Sequence, residues 1–181
     1  MADSAHLVPF LFAAEGGYVD NPNDSGGSTM KGITYAEWCV CFGNNAHDRF
    51  MAMSVDDWTL VFKNAYWAKI YGDQINSQLI ADITVDWLWN SGYELPEANV
   101  QTILNTQFGD HIGIDGVFGA QTIASINATP EKALFDDIAD ARSDFFINIV
   151  KTTPSQLTFL KGWEHRLLHI LYFEYTGVVI T

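Results

Sequence analysis

Glu15 is the residue in this sequence best placed to donate a proton. It closes an apolar helical stretch just before Gly16-Gly17, where the helix macrodipole is negative. Aromatic and aliphatic neighbours are expected to desolvate it as well. Both effects disfavour the carboxylate and predict a raised pKa, as a general acid at neutral pH requires. Asp24 follows in a polar loop rich in backbone donors, where it is expected to stay ionised. Thr29 carries a hydroxyl able to orient a water. Two carboxyls pushed apart in pKa across a short turn suit glycoside hydrolysis, and the glycines between them let the backbone approach a sugar closely. The same residues also admit a bland reading. A Glu before Gly-Gly can be a solvated helix end, and an Asp before Ser-Gly-Gly can be an Asx-turn residue.

These side chains must be positioned by helices. Helical periodicity runs from about Ser4 to Ala14, with Leu7, Phe10, Leu11 and Ala14 on one face. Pro9 must kink that helix or move its start. The stretch from Tyr18 to Gly32 is polar and carries Asn-Pro and Gly-Gly turn signals, so it reads as a short hairpin or an irregular loop. A short helix is expected over about 35–42. Ser54 offers an N-cap, with Asp57 at N3, for a helix reaching about Ile70. Residues 77–90 are apolar almost all round, which predicts a central helix buried on every side. Further helices are expected near 96–106 and 120–126, separated by a glycine-rich turn. Thr129-Pro130 predicts an N-cap and N1 proline for a long helix to about Val150. Thr153-Pro154-Ser155-Gln156 reads as a capping box opening the last helix, with Leu157, Leu160, Leu167, Leu168 and Leu171 inward. The fold expectation is mainly α, with at most a small β-hairpin near residues 18–34.

Composition narrows the function classes. The chain has 181 residues, enough for one domain or two small intimate ones with a real core. A net charge of -13 argues against a nucleic-acid binder and against adhesion to an anionic membrane. No apolar run approaches the ~20 residues that span a bilayer. The N-terminus shows no cationic region ahead of an apolar one, so no secretory signal peptide is expected. Cys39 and Cys41 read as small core residues in a reducing compartment. His165 and His169 share a helix face, but no third ligand is placed for a metal, and Asp115-Gly116 reads as a turn rather than a calcium loop. No metal and no cofactor are expected. Tyr18 sits in the polar loop beside Glu15 and is a candidate sugar platform, whereas most other aromatics, Trp67 and Trp89 included, read as core. Asn90 could hydrogen-bond a substrate acetamido or hydroxyl group, or act as a helix C-cap. Lys31 could meet a substrate carboxylate, or be a solvated lysine.

The motifs also carry a family resemblance. Glu15-Gly16-Gly17-Tyr18, Pro22, Asp24, Gly26-Gly27, Thr29 and Gly32-Ile33-Thr34 together resemble the signature of glycoside hydrolase family 108. Its members are phage and bacterial N-acetylmuramidases, some called secretion activator proteins. Ala65-Tyr66-Trp67, and Asp86 with Asn90-Ser91-Gly92, resemble later elements of that family. Gln101, Asp115-Gly116-Val117-Phe118-Gly119, Thr122, Arg142, Gly162-Trp163 and Arg166 resemble the type 3 peptidoglycan-binding region that usually follows. The order of Glu15, Asp24 and Thr29 also resembles the phage-type lysozymes, although Thr29 stands one residue closer to Asp24 than that family would place it. Ser25 stands where family 108 members often have proline.

The resemblance implies a lysozyme-like fold with a muramidase region over 1–92 and a helical peptidoglycan-binding region over 93–181, packed as one compact unit. It implies Glu15 as catalytic acid, with Asp24 and Thr29 as partners. The reaction would cleave the β-1,4 bond between N-acetylmuramic acid and N-acetylglucosamine. It further implies a monomer made in the cytoplasm, released through a holin or an export system, and acting on glycan strands in the periplasm or cell wall. The alternatives are a non-catalytic peptidoglycan-binding or secretion-associated protein, and a hydrolase of another amino-sugar polymer.

Overall fold

The structure, a computed structural model, describes residues 1–20, 27–44, 46–92 and 95–176, the side chains of residues 172–175 apart. Helix α1 spans Val8–Ala14, with Pro9 in its first turn. The proline moves the helix start inward instead of kinking it, because its missing N–H costs nothing there. Three short strands, β1 (Tyr18–Val19), β2 (Thr29–Met30) and β3 (Ile33–Thr34), pair as an antiparallel meander. The expected hairpin therefore exists as β2–β3 and has gained one further strand. Its turn is Lys31-Gly32, with φ of 49° and 77°. Two positive φ values in a two-residue loop are the twist-matching hairpin geometry, and glycine makes the second one cheap. Trp58 Nε1 donates to the Lys31 carbonyl at 2.9 Å and anchors the turn.

Helix α2 (Tyr35–Phe42) opens on a full capping box. Thr34 Oγ1 accepts from Glu37 N–H, and the Glu37 carboxylate accepts from Thr34 N–H. Helix α3 covers His47–Met51 and α4 covers Val55–Phe62, the latter capped by Ser54, whose Oγ accepts from Asp57 N–H. The chain then winds through a π-helical turn, Lys63–Trp67, so the α-helix expected to reach Ile70 stops early. Helix α5 (Gln78–Ser91) runs through the centre, with every residue from Ile80 to Leu88 buried. It is the predicted core helix. Helices α6 (Leu95–Gln107), α7 (Ala120–Ala128), α8 (Glu131–Thr152) and α9 (Leu157–Thr176) complete the fold, with α6, α8 and α9 packed against α5. The result is a mainly α, lysozyme-like architecture with one small sheet.

Three local expectations are corrected. Thr129 does not cap α8. Its N–H and hydroxyl both turn back to the Ser125 carbonyl, so it closes α7 and leaves Pro130 to start the next helix. Thr153 makes no capping bond either. A 3₁₀ turn, Pro154–Gln156, intervenes before α9, closed by Gln156 N–H on the Thr153 carbonyl. Leu157 and Leu168 point outward, 61% and 60% exposed, while Leu167 and Ile170 are buried. The outward pair stand about three turns apart on one face, and α8 covers a different stripe of α9.

Candidate active site

Glu15 is the C-cap of α1. Its N–H still reaches the Leu11 carbonyl at 3.2 Å, but its backbone has left the helix at φ -86°, ψ 142°. The side chain is 18% exposed, enough to meet a ligand while held by the protein. Three elements hold it. Trp89, near the end of α5, donates its indole Nε1–H to Glu15 Oε1 at 2.7 Å. Arg166, on α9, places Nη1 at 3.4 Å from the same oxygen. The β2–β3 turn presses Gly32 against Glu15 and Trp89. A methyl group there would lie 2.7 Å from Glu15 Oε2 and 2.6 Å from the Trp89 ring. Glu15 thus meets a donor and a cation, not the purely apolar surround that the sequence suggests.

Each partner is fixed in turn. The Trp89 ring is half-buried and packs on Tyr66, Trp58 and Phe62 with centroids 4.5, 5.2 and 6.0 Å away. Tyr66 comes from the π-helical turn, and its hydroxyl donates to Glu37 Oε1 at 2.5 Å. The capping carboxylate of α2 therefore also braces the aromatic wall behind Glu15. Arg166 is held by Asp86 Oδ1, which accepts from Nη2 at 2.9 Å and from Nε at 3.3 Å. The other Asp86 oxygen faces Arg142 Nη2 at 2.6 Å in a fully buried ion pair, close in distance without an aligned hydrogen bond. Burial alone would raise the Asp86 pKa. Arg166 and Arg142 outweigh it and hold the carboxyl below the ordinary carboxylate range. Burial pushes Arg142 down, whereas Asp86 and Glu15 overcome the same effect at Arg166 and carry it upward.

Of the other candidates, Thr29 is half-buried in the middle strand, paired across the sheet with Val19 and Thr34. Among the described residues, no hydrogen bond joins it to Glu15. Asp24 lies outside the described residues. Tyr18 is 40% exposed on the edge strand β1. Lys31 lies over the Phe12 ring, 4.4 Å from its centroid. Asn90 is exposed, and its Nδ2–H bonds back to the Asp86 carbonyl at 2.7 Å. Gln101, from α6, organises the Asp115-Gly116 turn by accepting from both backbone N–H groups and donating to Asp115 Oδ1. That is a structural turn, and the Gln101 bond holds Asp115 below its usual range. Among the described residues no group of three or more His, Cys, Asp or Glu gathers as a metal site.

Trp89 and Arg166 are the neighbours of Glu15 that the sequence alone does not single out. The signal was an aspartate, Asp86, inside a largely apolar helix that also buries Asp82, which His6 meets at 2.6 Å. A buried charge demands a cation, and the chain's only arginines are Arg49, Arg142 and Arg166.

Residues 8–92 match the family described as Glycosyl hydrolase 108, and residues 96–168 match one described as Predicted Peptidoglycan domain. Residues 8–92 thus form a glycosyl hydrolase family 108 region, followed by a peptidoglycan-domain region. Among solved structures, "Structure of Brucella abortus SagA" is similar over 92% of this chain and 90% of that one, with a TM-score of 0.71 and 28% identity. No curated protein matches the chain. A family 108 region followed by a peptidoglycan domain makes this a peptidoglycan-acting protein of a glycosidase family. Glu15, Trp89 and Asp86 come from the family 108 match, whereas Arg142 and Arg166 come from the peptidoglycan match.

Proposed function

We propose that this family 108 protein is an N-acetylmuramidase that cleaves the β-1,4 bond between N-acetylmuramic acid and N-acetylglucosamine. One observation carries the reading. A partly exposed carboxyl at the end of α1 is gripped by side chains from α5 and α9 and covered by the β2–β3 turn. A merely solvated helix end has no need of such a setting. In this reading Glu15 gives its proton to the glycosidic oxygen as the bond to the anomeric carbon breaks. Asp24 stabilises the positive charge left on the sugar or, with Thr29, places the attacking water. Tyr18, exposed on the edge strand, offers a face for a sugar ring. Lys31 and Asn90 are weaker substrate contacts, since each already has a protein partner. The protein acts on glycan strands outside the cytoplasm, reached through a holin or an export system.

Turbidity loss and reducing-end release from purified sacculi test the assignment. Glu15→Gln keeps the shape and the acceptor oxygen but has no acidic proton. It should fold with an unchanged far-UV spectrum and lose roughly 10²–10⁴-fold in rate. A folded Glu15→Gln protein lysing walls near the wild-type rate would show that Glu15 is not the acid. A wild-type protein that binds sacculi without releasing reducing ends would establish the non-catalytic binding alternative.

A further inference from the structure

Glu15 has no local means of holding its side chain. It stands beyond the last turn of α1 and is followed by Gly16 and Gly17, around which a side chain would meet open space. Its orientation therefore comes from tertiary partners. Arg166 is distinctive among them because its guanidinium serves two carboxylates from different elements. Nε and Nη2 grip Asp86 Oδ1, and the remaining nitrogen, Nη1, is turned to Glu15 Oε1. Asp86 is itself immobilised by complete burial and by Arg142 on its other oxygen. The chain of contacts runs from a fully buried pair at the core outward to Arg166 and Glu15, each 18% exposed. A planar fork can satisfy this geometry, whereas an ammonium, a single point charge, cannot reach both carboxylates in the same way. An ion pair needed only for stability has no reason to extend to a partly exposed carboxylate on another helix.

We propose that Arg166, supplied by the region that matches the peptidoglycan domain, is a positioning residue of the Glu15 centre. Anchored on Asp86, it aims the Glu15 carboxyl jointly with Trp89 Nε1–H. The second region is then part of the catalytic apparatus as well as a means of holding the wall. The proposal rests on the reading of Glu15 as the acid.

The test compares full-length Arg166→Lys, Arg166→Ala, Trp89→Phe and Glu15→Gln proteins by initial rates on a series of sacculi concentrations, far below the melting temperature of each. Misplacing a catalytic group by about an ångström can cost on the order of 10²-fold. The expected result is a kcat loss of about tenfold or more in Arg166→Ala and Arg166→Lys, with KM little changed. Trp89→Phe should show the same split to a smaller degree. Low-millimolar guanidinium, against a matched sodium control, should restore part of the Arg166→Ala rate and none of the Glu15→Gln rate. Folded Arg166 variants with wild-type kcat, or a loss confined to KM, would overturn the positioning role while an inactive Glu15→Gln left the acid in place. An active Glu15→Gln would instead remove the acid assignment, and this proposal with it. Should Arg166→Ala fail to fold, Arg166→Lys and Trp89→Phe decide the matter by the same split.

Discussion

At Glu15 the backbone departs from the helix and the carboxyl is caught by groups from three other elements, so a small change beside it should be felt. Gly32 is the most sensitive neighbour. Its φ of 77° suits glycine, and an added methyl would fall 2.7 Å from Glu15 Oε2 and 2.6 Å from the Trp89 ring. Gly32→Ala costs about 1–2 kcal/mol for the left-handed backbone alone. Something must also yield in the contact with Glu15 and Trp89. The expected outcome is a folded protein with a modestly lower melting temperature and a kcat reduced by tenfold or more, a displacement effect of the order of 10² at its largest. Calorimetry and sacculus hydrolysis on the same preparation check it. A stability loss with wild-type kcat would mean that the turn does not bear on Glu15.

Helix α2 shows how one element serves both stability and site. Thr34 and Glu37 satisfy each other's backbone donors at its start, and the same Glu37 carboxylate accepts from Tyr66, which packs under Trp89. Thr34→Ala removes the side-chain cap and should cost about 0.5–2 kcal/mol, read as a lower urea midpoint with unchanged slope. Because Tyr66 bonds the other Glu37 oxygen, activity at low temperature should change far less than stability. A large activity loss without destabilisation would show that Thr34 acts in the site itself. The π-helical turn supplies Tyr66 at that place. A regular helix continued past Phe62 would turn Tyr66 and Trp67 through a different angle.

Across the whole molecule, the buried charges set the response to acid. Asp57 is held below the usual carboxylate range chiefly by its hydrogen bond from Arg49. Asp86 is held there by Arg166 and Arg142 against its burial. Each carboxyl stays ionised in the folded protein at a pH where the unfolded chain takes up a proton. Their contribution is therefore complete above the ordinary aspartate value of about 3.9. It is lost as pH falls through that value toward the folded one. Urea midpoints should fall steadily between about pH 5 and pH 3, and Asp57→Asn should make the slope shallower by removing one of the depressed groups. Midpoints flat over that interval would show that neither pair stabilises the fold. Asp86 also joins the two matched regions, since both of its arginines come from the second one. Breaking a buried pair by removing one partner costs about 3–5 kcal/mol, which explains why a charge tolerated so deep in α5 needs arginines from α8 and α9 together.

Sequence alone determined what depends on neighbours in the chain. The mainly α character, the helix over 35–42, the Ser54 cap, and α5 as the core helix all follow from periodicity, capping residues and a helix apolar almost all round. The end of α1 at Glu15 was legible because Gly16-Gly17 stops a helix. The Thr34–Glu37 box was equally legible as T-x-x-E. The resemblance to family 108 was carried by Glu15, the glycines and the residues after them. Tertiary structure decided the rest. The Thr129 and Thr153 caps failed because the same hydroxyl and backbone groups can turn toward either flanking segment, and packing chooses which. Leu157 and Leu168 faced outward because α8 covers only one stripe of α9. Asp86, Arg142 and Arg166 stand far apart in the chain, and no local rule pairs them. Only folding α5, α8 and α9 together takes Asp86 from water. An unpaired charge so buried would be too costly, and the arginine that neutralises it is thereby brought to Glu15.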